Sequence, residues 1–264
     1  MSNVKDSIEA VQGILEAVPV YEDMLQPASK ELGKSFLTIT KTINVALAPL
    51  QGLIWGYEKI AKYLETDMAI KLKGVPEENI ITPDPSLAVP IIEALRYTAH
   101  KEEIREMFSN LIATAMDKDT ALQAHPSFVE IIKQLSPDEA KMITTILDNG
   151  LHPLISVRAI RDNHEKGFLE IKKNFTNLPH IAKCSNPEMG SSYIENLNRL
   201  GLITIDRQVH LIDNDMYYDE LINHPDIQSL NPQILSMNRK ISYKKYSFSR
   251  TEFGESFVKA CTKG

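Results

Sequence analysis

The sequence predicts a mainly α-helical protein: a helical bundle over residues 1–135, then a winged-helix-like α+β domain over residues 136–264. Three observations predict this. Apolar residues in the first half recur at three- and four-residue steps, the spacing of one stripe along an α-helix. After Gly150 short alternating segments of strand type appear. A helix ending in Leu-Gly-Leu-Ile, a turn, a further strand and then Thr-x-x-Gly follow one another as in a winged helix.

Residues 4–17 suit a first helix, with Ile8, Val11, Leu15 and Val18 on one side and Pro19 as its stop. Leu25, Ala28, Leu32, Phe36, Ile39, Ile43 and Leu47 then form a heptad-like stripe. It serves either as a bundle helix or as a seam for a homo-oligomer, and the bundle is favoured because bundle helices carry the same stripe. Thr42–Tyr57 is uncharged and contains the only tryptophan, Trp55, with Pro49 and Gly52 interrupting any straight helix. It is too short to span a bilayer as one helix. Leu50, Leu53, Ile54, Trp55 and Tyr57 are therefore candidate contacts for a membrane surface or a partner. A kinked core helix explains the run more simply.

Gly74–Ser86, rich in proline, reads as a linker. The helical centre follows. Ile104, Met107, Phe108, Leu111, Ile112, Ala115 and Met116 make one stripe, leaving Glu102, Glu103, Arg105, Glu106 and Asn110 for water. His125-Pro126-Ser127 opens a short helix carrying Phe128, Val129, Ile131, Ile132 and Leu135. Ser136-Pro137-Asp138-Glu139 places a capping hydroxyl, a proline where no helical N–H is needed, and a glutamate three residues on, a capping-box pattern. That helix is expected to run through Leu147 to a left-handed stop at Asn149-Gly150.

In the last part, Leu154–Ile160 alternates as a strand. A helix runs from Ser191 to Leu200 and is closed by Gly201. Leu202–Ile205 and Val209–Ile212 are expected to pair as a hairpin around Asp206-Arg207-Gln208. Lys244–Ser249 reads as a strand, and Thr251 starts a final helix.

Catalytic and ligand motifs are absent from the sequence. The seven histidines form no HxxxH or HExxH pair, and Asp213, Asp215 and Asp219 lack the glycine and terminal glutamate of a calcium loop. No G-x-S-x-G, P-loop or GxGxxG occurs. No catalytic residue, metal ligand or cofactor is expected, and the protein is not expected to be an enzyme. The basic stretch Met237–Arg250 contains Arg239, Lys240, Lys244, Lys245 and Arg250, with Tyr243 and Tyr246 between them and no acid. These five are the candidate phosphate or nucleic-acid contacts. A solvated hairpin is the plainer reading, because the segment in the recognition-helix position carries only Arg199 against Glu195.

Several strings resemble the abortive infection alpha family of bacterial proteins. They are Gly33–Tyr57, Arg105–Asp117, His125–Ala140, Tyr193–Ile203 and Phe248–Cys261, in the same order along the chain. The resemblance implies a role in phage defence by halting the infected cell. It carries no catalytic motif, so binding to a phage or host protein, to another copy, or to a membrane is the expected mode of action.

The totals agree with that expectation. A net charge of -6 opposes bulk attraction to nucleic acid or anionic lipid. Cys184 and Cys261, far apart and without CxxC spacing, fit a reduced cytoplasm, and MSNVKDSIEAVQ has no secretion-signal pattern.

Overall fold

The computed structural model describes residues 54–146, 150–161, 167–209, 211 and 215–262, all within the unit from Leu53 to Gly264. The first helix and heptad stripe expected from the sequence lie outside the described residues, as do Leu50 and Leu53.

The described helices are α1 (Tyr57–Lys71), α2 (Pro85–Thr98), α3 (Glu102–Met116), α4 (Ser127–Lys133) and α5 (Pro137–Thr145). They continue as α6 (Leu178–Ile181), α7 (Gly190–Arg199), α8 (Asp215–Ile222), α9 (Pro225–Gln228), α10 (Asn231–Ser236) and α11 (Glu252–Cys261). Four strands, β1 (His152–Ile160), β2 (Phe168–Phe175), β3 (Ile203–Asp206) and β4 (Lys240–Arg250), form one antiparallel sheet in the order β2-β1-β4-β3. The fold class is α+β.

Helix α3 is the centre of the helical layer. Its predicted stripe is buried apart from Met116, and so are Ser109, Asn110, Ala113 and Thr114 on its other side. The expectation that Asn110 faces water is therefore wrong. Helices α1, α2, α5 and α11 all pack against α3, and a helix covered on several sides can bury small and amide side chains if their polar atoms are bonded. They are: Asn110 Nδ2 donates to Cys261 O at 3.1 Å and Thr114 Oγ1 to Ala260 O at 2.9 Å. Both acceptors belong to the last turn of α11, whose carbonyls lack intrahelical donors.

The caps follow the sequence closely. Asp84 accepts from Ser86 N at 2.7 Å to start α2. His125 Nδ1 accepts from Ser127 N at 3.1 Å, a side-chain turn immediately ahead of α4. Both halves of the capping box form at α5, with Glu139 N donating to Ser136 Oγ at 3.2 Å and Ser136 N to Glu139 Oε2 at 2.7 Å. Helix α5 ends at Thr145, with Ile146 already extended, short of the expected stop. Arg250 Nη1 donates to the carbonyl of Ile146 at 2.9 Å.

In the hairpin expected after Gly201, the first arm pairs with a more distant strand, and His210 and Ile212 of the second arm lie outside the described residues. β3 pairs with β4, from Ile203 opposite Arg250 to Asp206 opposite Ser247. Asp206 Oδ1 accepts from Gln208 N and Val209 N at 2.8 and 3.0 Å, forming a turn directly after β3. β4 is long enough to pair with β1 from Lys240 to Phe248 and with β3 at its far end. β2, which pairs with β1 across an irregular register, has no counterpart among the sequence expectations.

The sheet carries two apolar layers. Ile155, Val157 and Ala159 pack under Tyr218, Leu221, Ile227 and Ile234 of α8–α10. On the opposite face Leu154, Tyr246 and Phe248 join the core built by α1–α5, α7 and α11. Phe128 of α4 meets Phe257 of α11 edge-on, with centroids 5.3 Å apart, so residues on both sides of position 136 share that core. The N-terminus of α11 runs so close to the chain before β3 that a Cβ on Gly254 would lie 2.0 Å from Leu202 O.

Candidate functional sites

Asp138, at the start of α5, is 4% exposed and organises the densest polar network. Its Oδ1 accepts from Ser185 N at 2.8 Å, and its Oδ2 from Asn186 N at 3.0 Å and from Tyr193 Oη at 3.1 Å. Lys141 stands 3.7 Å away and is itself paired with Glu103 of α3 at 3.2 Å. Burial pushes the Asp138 carboxyl up, but the two amides, the Tyr193 hydroxyl and the Lys141 charge outweigh it, and the net displacement is downward. Burial and the bond to Asp138 push Tyr193 up to about 12. Burial and the neighbouring carboxylate push the Cys184 thiol up to about 11, the reverse of a reactive cysteine. Next to Asp138, Glu139 closes the capping box and accepts from Asn196 Nδ2 at 2.8 Å, tying α5 to α7. The network joins α3, α5, α7 and the segment between α6 and α7, and its polar atoms are used on the scaffold.

A cavity of about 200 Å³ opens beside it, lined by Glu103, Glu106, Asn110, Lys141 and Cys261. Lys71 reaches over from α1 to pair with Glu106 and to donate to Asn110 Oδ1 at 2.7 Å. Burial pushes the Cys261 thiol well up. The cavity thus offers paired charges and an inert sulfur.

Of the apolar candidates, Ile54, Trp55 and Tyr57 are described. Trp55 N donates to Arg96 O at 3.0 Å, seating this entry to α1 against the end of α2. The indole is half-buried against the core, edge-on to Tyr63 at 5.7 Å, with Lys59 Nζ 4.2 Å from its centroid. Ile54 and Tyr57 are 47% and 72% exposed, and Tyr97, next to Arg96, is 57% exposed.

The basic candidates are dispersed along β4. Arg239 Nη1 donates to Ala159 O at 3.2 Å and Arg250 to Ile146 O, so both guanidinium groups hold backbone. Strand alternation places Lys240 and Lys244 on one face and Lys245 on the other, where its ammonium lies 5.1 Å from the Tyr218 ring. Lys240 and Lys244 are exposed.

Sequence spacing gave no sign of a third constellation. His180 of α6 and His224 and Asp226 at the start of α9 converge, with one ligand-type atom of each within 4.8 Å of the others. His180 and His224 are 44 positions apart in the chain, and only the short pair His224-Pro225-Asp226 could have drawn attention to the place.

Among the described residues no helix is long and apolar enough to cross a membrane. No curated protein matches the chain. A solved structure, the uncharacterized protein from the hydrocarbon-degrading marine bacterium Alcanivorax borkumensis SK2, aligns over 55% of this chain and 96% of its own. Identity is 13% and the TM-score 0.37. The sequence model of abortive infection alpha matches residues 56–261, from the entry to α1 to the end of α11. The chain belongs to the abortive infection alpha family.

Proposed function

We propose that the protein acts in abortive infection, in the cytoplasm, by binding a phage or host protein rather than by catalysis. Family membership supplies the context. The observation that carries the binding reading is the use made of the interior polar groups. Asp138, Glu139, Asn110 and Thr114 are buried and bonded to the scaffold, while large apolar side chains stand in water. Ile54 and Tyr97 flank the Trp55–Arg96 hydrogen bond and Tyr57 follows one helical step on, an exposed apolar and aromatic group where the start of α1 meets the end of α2. Such groups favour protein contact. A second copy of the chain is a partner of the same kind. The order α5, β1, α6–α7, β3, β4, with β3 beside β4 and β4 beside β1, supports a winged-helix-like reading in which β2 and α8–α10 are insertions.

The same apolar group favours a membrane surface as the second reading. Against it, the Trp55 indole is already engaged by Tyr63 and Lys59. Nucleic acid is disfavoured, since Arg239 and Arg250 hold carbonyls and the lysines divide between two faces.

The test is phage challenge of cells carrying the wild-type chain or the Ile54→Asp/Tyr97→Asp variant, at low and high phage load. Survival at low load with collapse at high load, lost in a variant whose circular dichroism is unchanged, supports the proposal. Full protection by the folded variant removes this surface. Flotation of the pure protein with vesicles would transfer the role to the membrane. Salt-sensitive DNA binding weakened by Lys244→Ala/Lys245→Ala would transfer it to nucleic acid. Nuclease, nucleotide-hydrolysing or protease activity of the pure protein, abolished by one polar substitution, would overturn the binding reading.

A further inference from the structure

We propose that His180, His224 and Asp226 form a binding site for a divalent transition-metal ion of the zinc class, and that the ion clamps the α8–α10 layer to the helical layer. Asp226 Oδ2 lies 3.2 Å from His180 Nε2 and 3.8 Å from His224 Nδ1. In a tetrahedral zinc site with bonds of about 2.0–2.1 Å, neighbouring ligand atoms stand about 3.4 Å apart. Both distances are therefore within a small side-chain movement of a bound geometry. The imidazole rings are 4.6 Å apart and tilted by 44°, and one ligand-type atom of each of the three residues lies within 4.8 Å of the others.

The donor set selects the class of ion. Two imidazoles with one carboxylate suit zinc, cobalt or nickel, whereas calcium and magnesium take oxygen ligands. His180, His224 and Asp226 are about a third, a sixth and a half exposed, so an ion can enter and a water can complete the fourth position. His224 Nδ1 accepts from Asp226 N at 3.2 Å. That contact is exchanged on binding, and the amide, at the surface, turns to water. The Phe175 ring, 5.2 Å from the His224 ring, backs the site on its inner side.

The position gives the site its effect. His180 sits between Leu178 and Ala182, which belong to the helical core, while His224 and Asp226 flank the turn into Ile227, which belongs to the layer over the opposite sheet face. The same seam is bridged by Asn177 Nδ2 donating to Glu220 Oε1 at 3.1 Å, so its two sides are already aligned. An ion held by ligands from both sides locks the seam. This inference stands apart from the proposed partner contact, which lies on α1 and α2.

The experiment titrates the metal-stripped, untagged full chain with Co2+, follows the visible d–d bands, and then displaces the cobalt with Zn2+. The comparison proteins are His180→Gln, Asp226→Asn and the double variant, all at partly exposed positions. One equivalent of cobalt with tetrahedral-type absorption is expected, with affinity reduced about 100-fold or more in the double variant. Zinc should also slow amide hydrogen exchange in α9 and α10 of the wild type and leave the double variant unchanged. Equal metal binding by wild type and double variant, or none by either, overturns the site. Binding without added protection in α9 and α10 overturns the clamp.

Discussion

Replacing Asp138 with alanine removes the carboxylate that accepts from Ser185 N, Asn186 N and Tyr193 Oη together. An orphaned buried donor costs about 1–3 kcal/mol. Ser185 and Asn186 are exposed residues whose amides can regain water, and Tyr193 is half-buried, so each loss falls at the low end of that range. The sum is about 3 kcal/mol, a large share of the stability of an ordinary domain. Asparagine keeps one acceptor oxygen but turns an N–H toward one of the donors, for about half that loss, and Tyr193→Phe removes one donor at about 1 kcal/mol. Urea unfolding of the full chain, followed by circular dichroism, measures all three. The charge has its own signature. The folded-state pKa of Asp138 is lowered, so its contribution is complete above the unfolded aspartate value of about 3.9 and fades as pH falls through the lower folded value. The stability gap between wild type and Asp138→Asn should therefore narrow in acid. A loss under about 1 kcal/mol in the alanine variant, or a gap that widens on acidification, would refute the assignment of this carboxylate as the tie between α5 and the α6–α7 segment.

Other positions test the frame around it. Gly254→Ala puts a methyl 2.0 Å from Leu202 O and 2.8 Å from Leu202 C, backbone that cannot swing aside. We expect more than about 3 kcal/mol lost, or no folded protein, by thermal denaturation, and a near-neutral result would contradict the close approach of α11 to β3. Thr251→Ala removes the cap that Gly254 N donates to at 2.8 Å and also the hydroxyl's bond to Gly201 O at 2.6 Å. It should cost about 2 kcal/mol, and Ser136→Ala, which loses one half of its capping box, about 1 kcal/mol. Both native thiols should resist alkylation at neutral pH, Cys261 because it is fully buried and Cys184 because its pKa stands at about 11. Mass spectrometry after a timed iodoacetamide pulse should find both modified only in denaturant, and rapid native labelling of Cys184 would contradict the Asp138 environment.

Much of the helical layer was legible in the chain because its determinants are local. The α3 stripe, the Ser136–Glu139 box, the His125 turn, the Thr251 cap and the Gly201 stop, with its φ of 73°, each depend on residues within one helical turn of one another. Sequence spacing reports such relations directly. The places where expectation and structure part are set by distant neighbours. Asn110 looks like a surface residue until α11 arrives with two unpaired carbonyls. Leu202–Ile205 looks like half of a local hairpin, but β4, some 40 residues on, offers the pairing it takes. β2 was hidden because its Phe168, Leu169, Glu170, Ile171, Lys172 and Lys173 show no clean alternation, and its buried end, Asn174 and Phe175, is defined by pairing with β1 and packing under α8–α10.

The candidate sites divide in the same way. Exposed Ile54 and Tyr57 could be named from their uncharged run, whereas the neighbouring Tyr97 joins them only because Trp55 N finds Arg96 O. The basic residues near the C-terminus form one tract in the chain, yet a strand sends alternate side chains to opposite faces and two arginines are taken by carbonyls. The convergence of His180 with His224 and Asp226 needs a chain closure across more than 40 residues, which no short-range pattern encodes. Periodicity and capping are properties of neighbouring residues and survive in the sequence. Which surfaces meet is settled by burying both faces of one sheet at once, and that is a property of the folded chain.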